Sequence, residues 1–332
     1  MTLKFMNNSP LQVQKIRAIA LTVTNADRSQ EFYTKALCFE FVSDITVEGQ
    51  KYSEIEGVDG AKIRIVTLQL GDEQIELMEY LNVEGKPIPK DSQSNDLWFQ
   101  HLAIAVSDID RAFAHLRSFP IHPISTAPQT IPPENQEAAG VRAFKFKDID
   151  GHNLELIWFP EDKGQEKWHQ KGDRCFLGID HSAIAISNTE QSLHFYRDLL
   201  GMQVKGGSLN QGETQVRLDN LPEAKVKITA LRPIQGGLGI ELLDYLVTPK
   251  GRPIPRDWKS CDLAHMQVEL MVNDLEQLLE KLQENKVEFV SPGLVQFGDN
   301  SSFSRQSCLV KDPDGHAILL TSPVAEGDRH SH

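Results

Sequence analysis

His101-Leu-Ala-Ile-Ala-Val106 and His181-Ser-Ala-Ile-Ala-Ile186 are one strand written twice. Two weaker versions, Ile16-Arg-Ala-Ile-Ala-Leu-Thr-Val23 and Gln267-Val-Glu-Leu-Met-Val272, lie on either side. Aligned on the helices that follow, the key position reads Ala18, His101, His181 and Gln267, with separations of 83, 80 and 86 residues. Strand side chains alternate between faces. Ala103 and Ala105 therefore share a face with His101, and Ala183 and Ala185 with His181, leaving room around both imidazoles. A strand repeated at a steady interval predicts a chain built from four copies of one unit.

Each unit also closes on a strand. These read Gln74-Ile-Glu-Leu-Met-Glu-Tyr80, Asn153-Leu-Glu-Leu-Ile-Trp158, Gly239-Ile-Glu-Leu-Leu-Asp-Tyr245 and Ala317-Ile-Leu-Leu-Thr321, so the second key position is Glu76, Glu155, Glu241 and Leu319. Between opening and closing strands, Ile109, Ala112, Phe113 and Leu116, and likewise Leu275, Leu278, Leu279 and Leu282, follow the 3.6-residue helical period. The copies run 16–80, 99–159, 179–245 and 265–322. Copies one and three share Phe32-Tyr33 and Phe195-Tyr196, whereas copies two and four share Asp148-Ile-Asp-Gly-His152 and Asp312-Pro-Asp-Gly-His316. The chain thus reads as a duplicated pair.

The joints repeat as well: Lys86-Pro-Ile-Pro-Lys-Asp91 with Asn95-Asp-Leu97 returns as Arg252-Pro-Ile-Pro-Arg-Asp257 with Cys261-Asp-Leu263. The charged, aperiodic stretch 161–174 is expected to link two domains, 12–160 and 175–323, each of two units. Loops 125–140 and 291–304 are long enough to act as lids. The Asp-Gly turns predict tight hairpins, with His152 and His316 serving the turns rather than binding a ligand. Trp98 and Trp258, beside the Pro-Ile-Pro segments, are expected to pack rather than stack on a substrate.

A net charge of -13 without a Lys/Arg cluster excludes nucleic acid as a partner. No run approaches the ~20 apolar residues of a membrane span, and the opening Met1–Pro10 stretch lacks a signal-peptide core, so a cytoplasmic address is expected. Cys38, Cys175, Cys261 and Cys308 have no metal or disulfide spacing and read as reduced structural thiols. The polar tail with His330 and His332 reads as a frayed terminus.

Four β-α-β-β-β units with His on the first strand, Glu on the last, a Phe-Tyr helix and Asp-x-Asp-Gly-His turns resemble the vicinal oxygen chelate superfamily over roughly residues 16–322. That superfamily includes glyoxalase I, extradiol dioxygenases, epimerases and bleomycin-resistance proteins. The resemblance implies an α+β fold of four βαβββ modules paired into two curved mixed sheets, with a metal held inside by the opening and closing strands. Neighbour pairing of modules offers Glu76, His101 and Glu155, or His181, Glu241 and Gln267. Crosswise pairing, similar to double-length glyoxalase I enzymes, unites His101, Glu155, His181 and Glu241 and leaves Glu76, His265 and Gln267 as a second or alternative site. The crosswise set is favoured because the intact ligands concentrate in the middle copies. A mixed N/O set suits Zn, Ni, Co, Mn or Fe(II).

The resemblance implies a glyoxalase-type isomerase, epimerase or lyase acting on a small substrate with adjacent oxygens through a metal-stabilised enediolate, with Glu155 or Glu241 moving the proton. An Fe(II) extradiol-type dioxygenase is the alternative, although Gln267 and Leu319 depart from that pattern in the last module. A metal-free binding protein, with a groove lined by Tyr80, Trp98, Phe99 and Tyr245, is the third reading. Either a monomer or a homodimer accommodates four modules.

Overall fold

Each opening strand ends two or three residues before a polar helix cap, and this local signal starts every module in a similar way. The side chains of Asn25, Asp108, Asn188 and Asp274 accept hydrogen bonds from first-turn amides of the helices they precede. Those helices are Ala26–Leu37, Ile109–Leu116, Thr189–Leu193 (continued by a wide π turn, His194–Leu199) and Leu275–Glu284. The computed structural model describes residues 12–170, 172–247, 249–297 and 306–322. The polar tail, the amino-terminal Met1–Pro10 stretch and part of loop 291–304 lie outside them. No helix among the described residues is long and apolar enough to cross a membrane.

The modules pair crosswise. One nine-stranded sheet joins copies one and four through the antiparallel pair Val13–Thr22 and Met266–Val272. The other joins copies two and three through Gln100–Val106 and Phe176–Ile186. In both sheets each opening strand runs parallel to its own closing strand. Each sheet therefore draws one module from either side of segment 161–174. The fold is α+β, with two mixed sheets of the expected kind.

Copies one and three carry a long second strand and a short helix, Glu40–Glu48 with Gln50–Glu56 and Gln203–Gln211 with Glu213–Asp219. Among the described residues, copies two and four keep only two-residue remnants: His122–Pro123 with Gln129–Thr130, and Glu288–Phe289 with Val295–Gln296. Prolines 120, 123, 128, 132 and 133 lack the N–H that a continuous ladder needs, which shortens the edge in copy two.

One continuous apolar core receives the helix-facing residues of all four copies, including Ile19, Leu77, Leu102, Leu156, Ile184, Leu242, Leu270 and Leu320. Turns stitch the copies in a second direction. Asp148 accepts from the backbone of Asp150, Gly151 and His152 through Oδ1, and from Tyr33 Oη at 3.0 Å through Oδ2. His152 Nδ1 lies 3.0 Å from Asp148 Oδ2, and its Nε2 reaches the carbonyls of Thr22 and Leu263. Tyr196 and Asp312 repeat the bond between copies three and four, where His316 Nε2 reaches the Ala185 carbonyl. His152 and His316 therefore do serve the turns.

The two Pro-Ile-Pro joints cross each other. Leu97 N donates to Arg252 O, Leu263 N donates to Lys86 O, and Trp98 packs on Trp258 at 5.4 Å between ring centroids. A Cβ on Gly85 would stand 1.7 Å from Cys261 O, and one on Gly251 1.6 Å from Asn95 O, so only glycine permits this crossing.

Because each sheet spans both halves, a protease site inserted between Glu161 and Asp162 and cleaved after folding should leave two fragments that co-elute on gel filtration. They are expected to separate only in denaturant; separation in native buffer would contradict the crosswise sheets.

Candidate metal centre

The register of the central strands assembles the site. His101 pairs with Ala183 and Ala103 with His181 across the antiparallel seam. On the flanks Ala103 pairs with Glu155, and Ala183 with Glu241. Cross-strand partners share a face, so two imidazoles and two carboxylates surround a pair of alanines that add no bulk. Leu102, Ile104, Leu154 and Leu156 alternate to the other face and enter the core.

Ligand atoms of His101, Glu155 and His181 all lie within 4.8 Å of one another, and all three residues are buried. His101 Nε2 is 3.3 Å from Glu155 Oε2, and His181 Nε2 is 3.8 Å from the same oxygen. Glu241 stands at the edge of the group, its Oε2 3.4 Å from His181 Nε2 and its side chain 22% exposed. His101 supplies the test of fit. Both of its ring nitrogens are buried without a hydrogen-bond partner, the nearest acceptor being Glu155 Oε2 at 3.3 Å from Nε2. An unsatisfied buried imidazole nitrogen is costly, and a divalent cation between these side chains would give Nε2, the nitrogen nearest Glu155, a partner. The donor set of two nitrogens with carboxylate oxygen fits such an ion.

His181 is braced from behind. Its Nδ1 lies 2.9 Å from Asp180 Oδ2, which leaves Nε2 facing the cluster. Asp180 in turn accepts from Arg232 Nη2 at 2.8 Å, Trp168 Nε1 at 2.7 Å and Gln165 Nε2 at 2.8 Å. Segment 161–174, expected only to link domains, thus contributes Trp168 and Gln165 to this brace. Asp180 occupies a β-bulge between Ile179 and His181, where an extra residue breaks strict alternation. Sequence reading passed over it because the alternation pattern gives that position no face.

Lys145 is a second charge that reading missed. It pairs in register with Glu155 and donates to Asp219 Oδ1 at 2.6 Å, with both side chains buried. The electrostatics follow from these positions. Burial, only partly offset by Glu155, pulls His101 down to about 4. Burial also works against a charged His181, but Glu241, Asp180 and Glu155 outweigh it and hold the imidazole above its ordinary value. Burial disfavours ionised Glu155, yet His101 and Lys145 prevail and bring it to about 2. Burial raises Glu241, which His181 only partly counters.

The second expected set does not assemble in the same way. Glu76 accepts from Arg17 Nη2 at 2.5 Å, and Arg17 also donates to Glu269. His265 Nε2 lies instead 3.0 Å from Gln267 Oε1. Of the two expected lids, loop 125–140 sends Ile131 into the apolar cluster around Ala103, Ala105 and Trp168, beside the centre.

Residues 15–156 and 178–320 match the Glyoxalase/Bleomycin resistance protein/Dioxygenase superfamily. The chain belongs to that superfamily. A 2-epi-5-epi-valiolone epimerase from an Actinomyces species is 32% identical over 150 residues, covering 44% of this chain and 79% of the relative. The metallothiol transferase FosB of Staphylococcus epidermidis is 28% identical over 155 residues, covering 47% and 89%. Among solved structures, glyoxalase I from Zea mays superposes with a TM-score of 0.60 at 15% identity, covering 93% of this chain and 92% of that one, a likeness of fold. The relatives are enzymes of this superfamily, and the buried His101, Glu155 and His181 group is one that could hold a metal.

Elemental analysis of the purified protein should find one transition metal per chain, lost in both His101→Ala and His181→Ala. Asp180→Asn should weaken metal affinity roughly 10- to 100-fold, as measured by chelator competition. Full occupancy in the two histidine variants would remove the centre from these residues.

Proposed function

We propose that this protein is a metal-dependent vicinal oxygen chelate enzyme, an isomerase, epimerase or lyase, acting on a small substrate with adjacent oxygens. The observation that carries the reading is buried His101, whose Nε2 stands 3.3 Å from Glu155 without a hydrogen-bond partner and within one cluster with His181. His101, Glu155 and His181 would hold a divalent ion, with Glu241 completing the set. Bound there, such an ion supplies Lewis-acid polarisation of the substrate oxygens.

The side chains divide the remaining work. Glu155 is fixed, buried against His101 with Lys145 alongside, and stays ionised. Glu241 is the freer carboxylate: its close partner among the described residues is His181, and it retains exposure that Glu155 lacks. Environments that push two carboxylates in opposite directions separate their roles. Glu241 takes the proton from carbon adjacent to a substrate carbonyl and returns it to the neighbouring carbon. Asp180 positions His181, and Lys145 adds positive charge on the Glu155 side. All of these groups come from one chain, so the site needs no partner subunit. The reading takes the protein as cytoplasmic, in keeping with four free cysteines.

A specific observation favours a second reading. The three mutually close ligands are two histidines and one carboxylate, the pattern of an Fe(II) facial triad, which suits an extradiol-type dioxygenase.

In deuterated water, the metal-loaded enzyme should wash deuterium into the carbon next to the carbonyl of an α-hydroxycarbonyl substrate. Glu241→Gln should slow that exchange by about 10²- to 10⁴-fold while metal content is retained. Oxygen uptake with catechols on the Fe(II)-loaded protein, without solvent exchange, would transfer the assignment to the dioxygenase.

A further inference from the structure

Beside the sheet built from copies one and four lies a pocket of about 250 Å³ lined by Glu56, Trp258, Ser260, His265, Phe289 and Val290, among others. Its counterpart in the other sheet is a cleft of about 650 Å³ with Asp219 and Phe99 on its wall. The two match at the acid that ends the short helix. Glu56 and Asp219 each end the short helix of their module. Each accepts from the tyrosine that ends its module's closing strand, Tyr80 at 3.3 Å and Tyr245 at 3.1 Å.

They differ in what neutralises them. Asp219 holds the ammonium of Lys145 at 2.6 Å and a further bond from Gln215 at 2.6 Å. Lys145 pairs with Glu155, and the matching residue, which pairs with Leu319, is Leu309. No cation among the described residues reaches Glu56. Its remaining partners are Gln267 Nε2, at 3.4 Å, and the Ser260 side chain. Lys259 and Lys311 also line this cavity, but Lys311 is held by Glu288 at 2.7 Å and Lys259 is exposed. A carboxylate taken out of water without a counter-charge is strongly disfavoured. Burial accordingly pushes Glu56 up to about 7.

We propose that this cavity binds a small primary amine with an apolar body, the ligand ammonium taking on Glu56 the place that Lys145 takes on Asp219. Trp258, Phe289, Val290 and Ile254 form the apolar wall that receives the body of the ligand. The volume lies just below the usual range for ligand pockets, which limits the occupant to about the size of an arylethylamine. The site shares no side chain with the metal centre and does not depend on it.

Phenethylamine titrated into the full-length protein, followed by calorimetry and by the shifts of the tryptophan indole N–H signals, tests this with and without EDTA. The amine is expected to bind at millimolar concentration or tighter in both conditions, and 2-phenylethanol at least tenfold more weakly. Glu56→Gln should weaken the amine by roughly tenfold or more. Leu309→Lys, which supplies an internal ammonium as in the sister sheet, should abolish binding while the far-ultraviolet circular dichroism is kept. No binding to the wild-type protein at 10 mM, equal binding of the alcohol, or an unchanged Glu56→Gln affinity would each overturn the proposal.

Discussion

The antiparallel register of Gln100–Val106 on Phe176–Ile186 is the constraint on which the rest of the molecule depends. With Leu102 opposite Ser182, the two histidines fall opposite alanines on one face, and the leucines and isoleucines fall into the core on the other. A one-residue slip would exchange the faces, placing His101 and His181 under the helices and exposing Leu102 and Ile104. Burying the helix-facing residues therefore sets the register, and the register sets the site. The chemistry-bearing face is a consequence of the apolar one.

The same backbone runs through the other sheet with a different outcome, and one position accounts for much of it. Both central seams contain a bulge at the same place: Asp180 lies between Ile179 and His181, and Arg17 between Ile16 and Ala18. At the bulge, an acid turns toward the neighbouring imidazole and steadies it, leaving the opposite nitrogen facing the His and Glu cluster. Arginine at that point extends to Glu76 and Glu269 and brings its own positive charge to the carboxylates. A guanidinium and a divalent ion compete for the same negative partners, and their mutual repulsion in a buried site prevents both from occupying it. The loss of histidine at Ala18 and of glutamate at Leu319 accompanies that exchange. Burial and Glu269 still hold Glu76 above its ordinary range even though Arg17 pulls it down, as expected where two acids share one cation.

Much of this was legible in the sequence because it is periodic. The four strands recurring near every 83 residues, the helix stripes and the His and Glu positions obey the two periods that regular structure imposes, and the superfamily and both sheets follow from them. The crosswise pairing was legible too, through the concentration of intact ligands in copies two and three. What escaped lies outside the period. Asp180 sits on a bulge, Trp168 on an aperiodic segment, and Asp219 and Glu56 at the ends of helices too short to declare themselves. Lys145 obeyed the strand alternation but paired with a residue 74 positions away, a contact no local pattern encodes.

The shared motifs have a reason that the sheets alone do not supply. Tyr33 and Tyr196 occur in copies one and three, and the Asp-x-Asp-Gly-His turns in copies two and four, because each tyrosine hydroxyl donates to the aspartate of the next copy. Sheet seams join copy one to four and two to three, while these turns join one to two and three to four. Every copy is thus held on two sides, and the four close into a ring. Neither kind of joint uses the face that carries His101, Glu155, His181 and Glu241, or the matching face with Glu76 and Gln267. The ring can therefore carry the His and Glu set on one face and an arginine network on the other without loosening either seam. Two pockets built on one scaffold are free to diverge because the contacts that hold the scaffold together lie elsewhere.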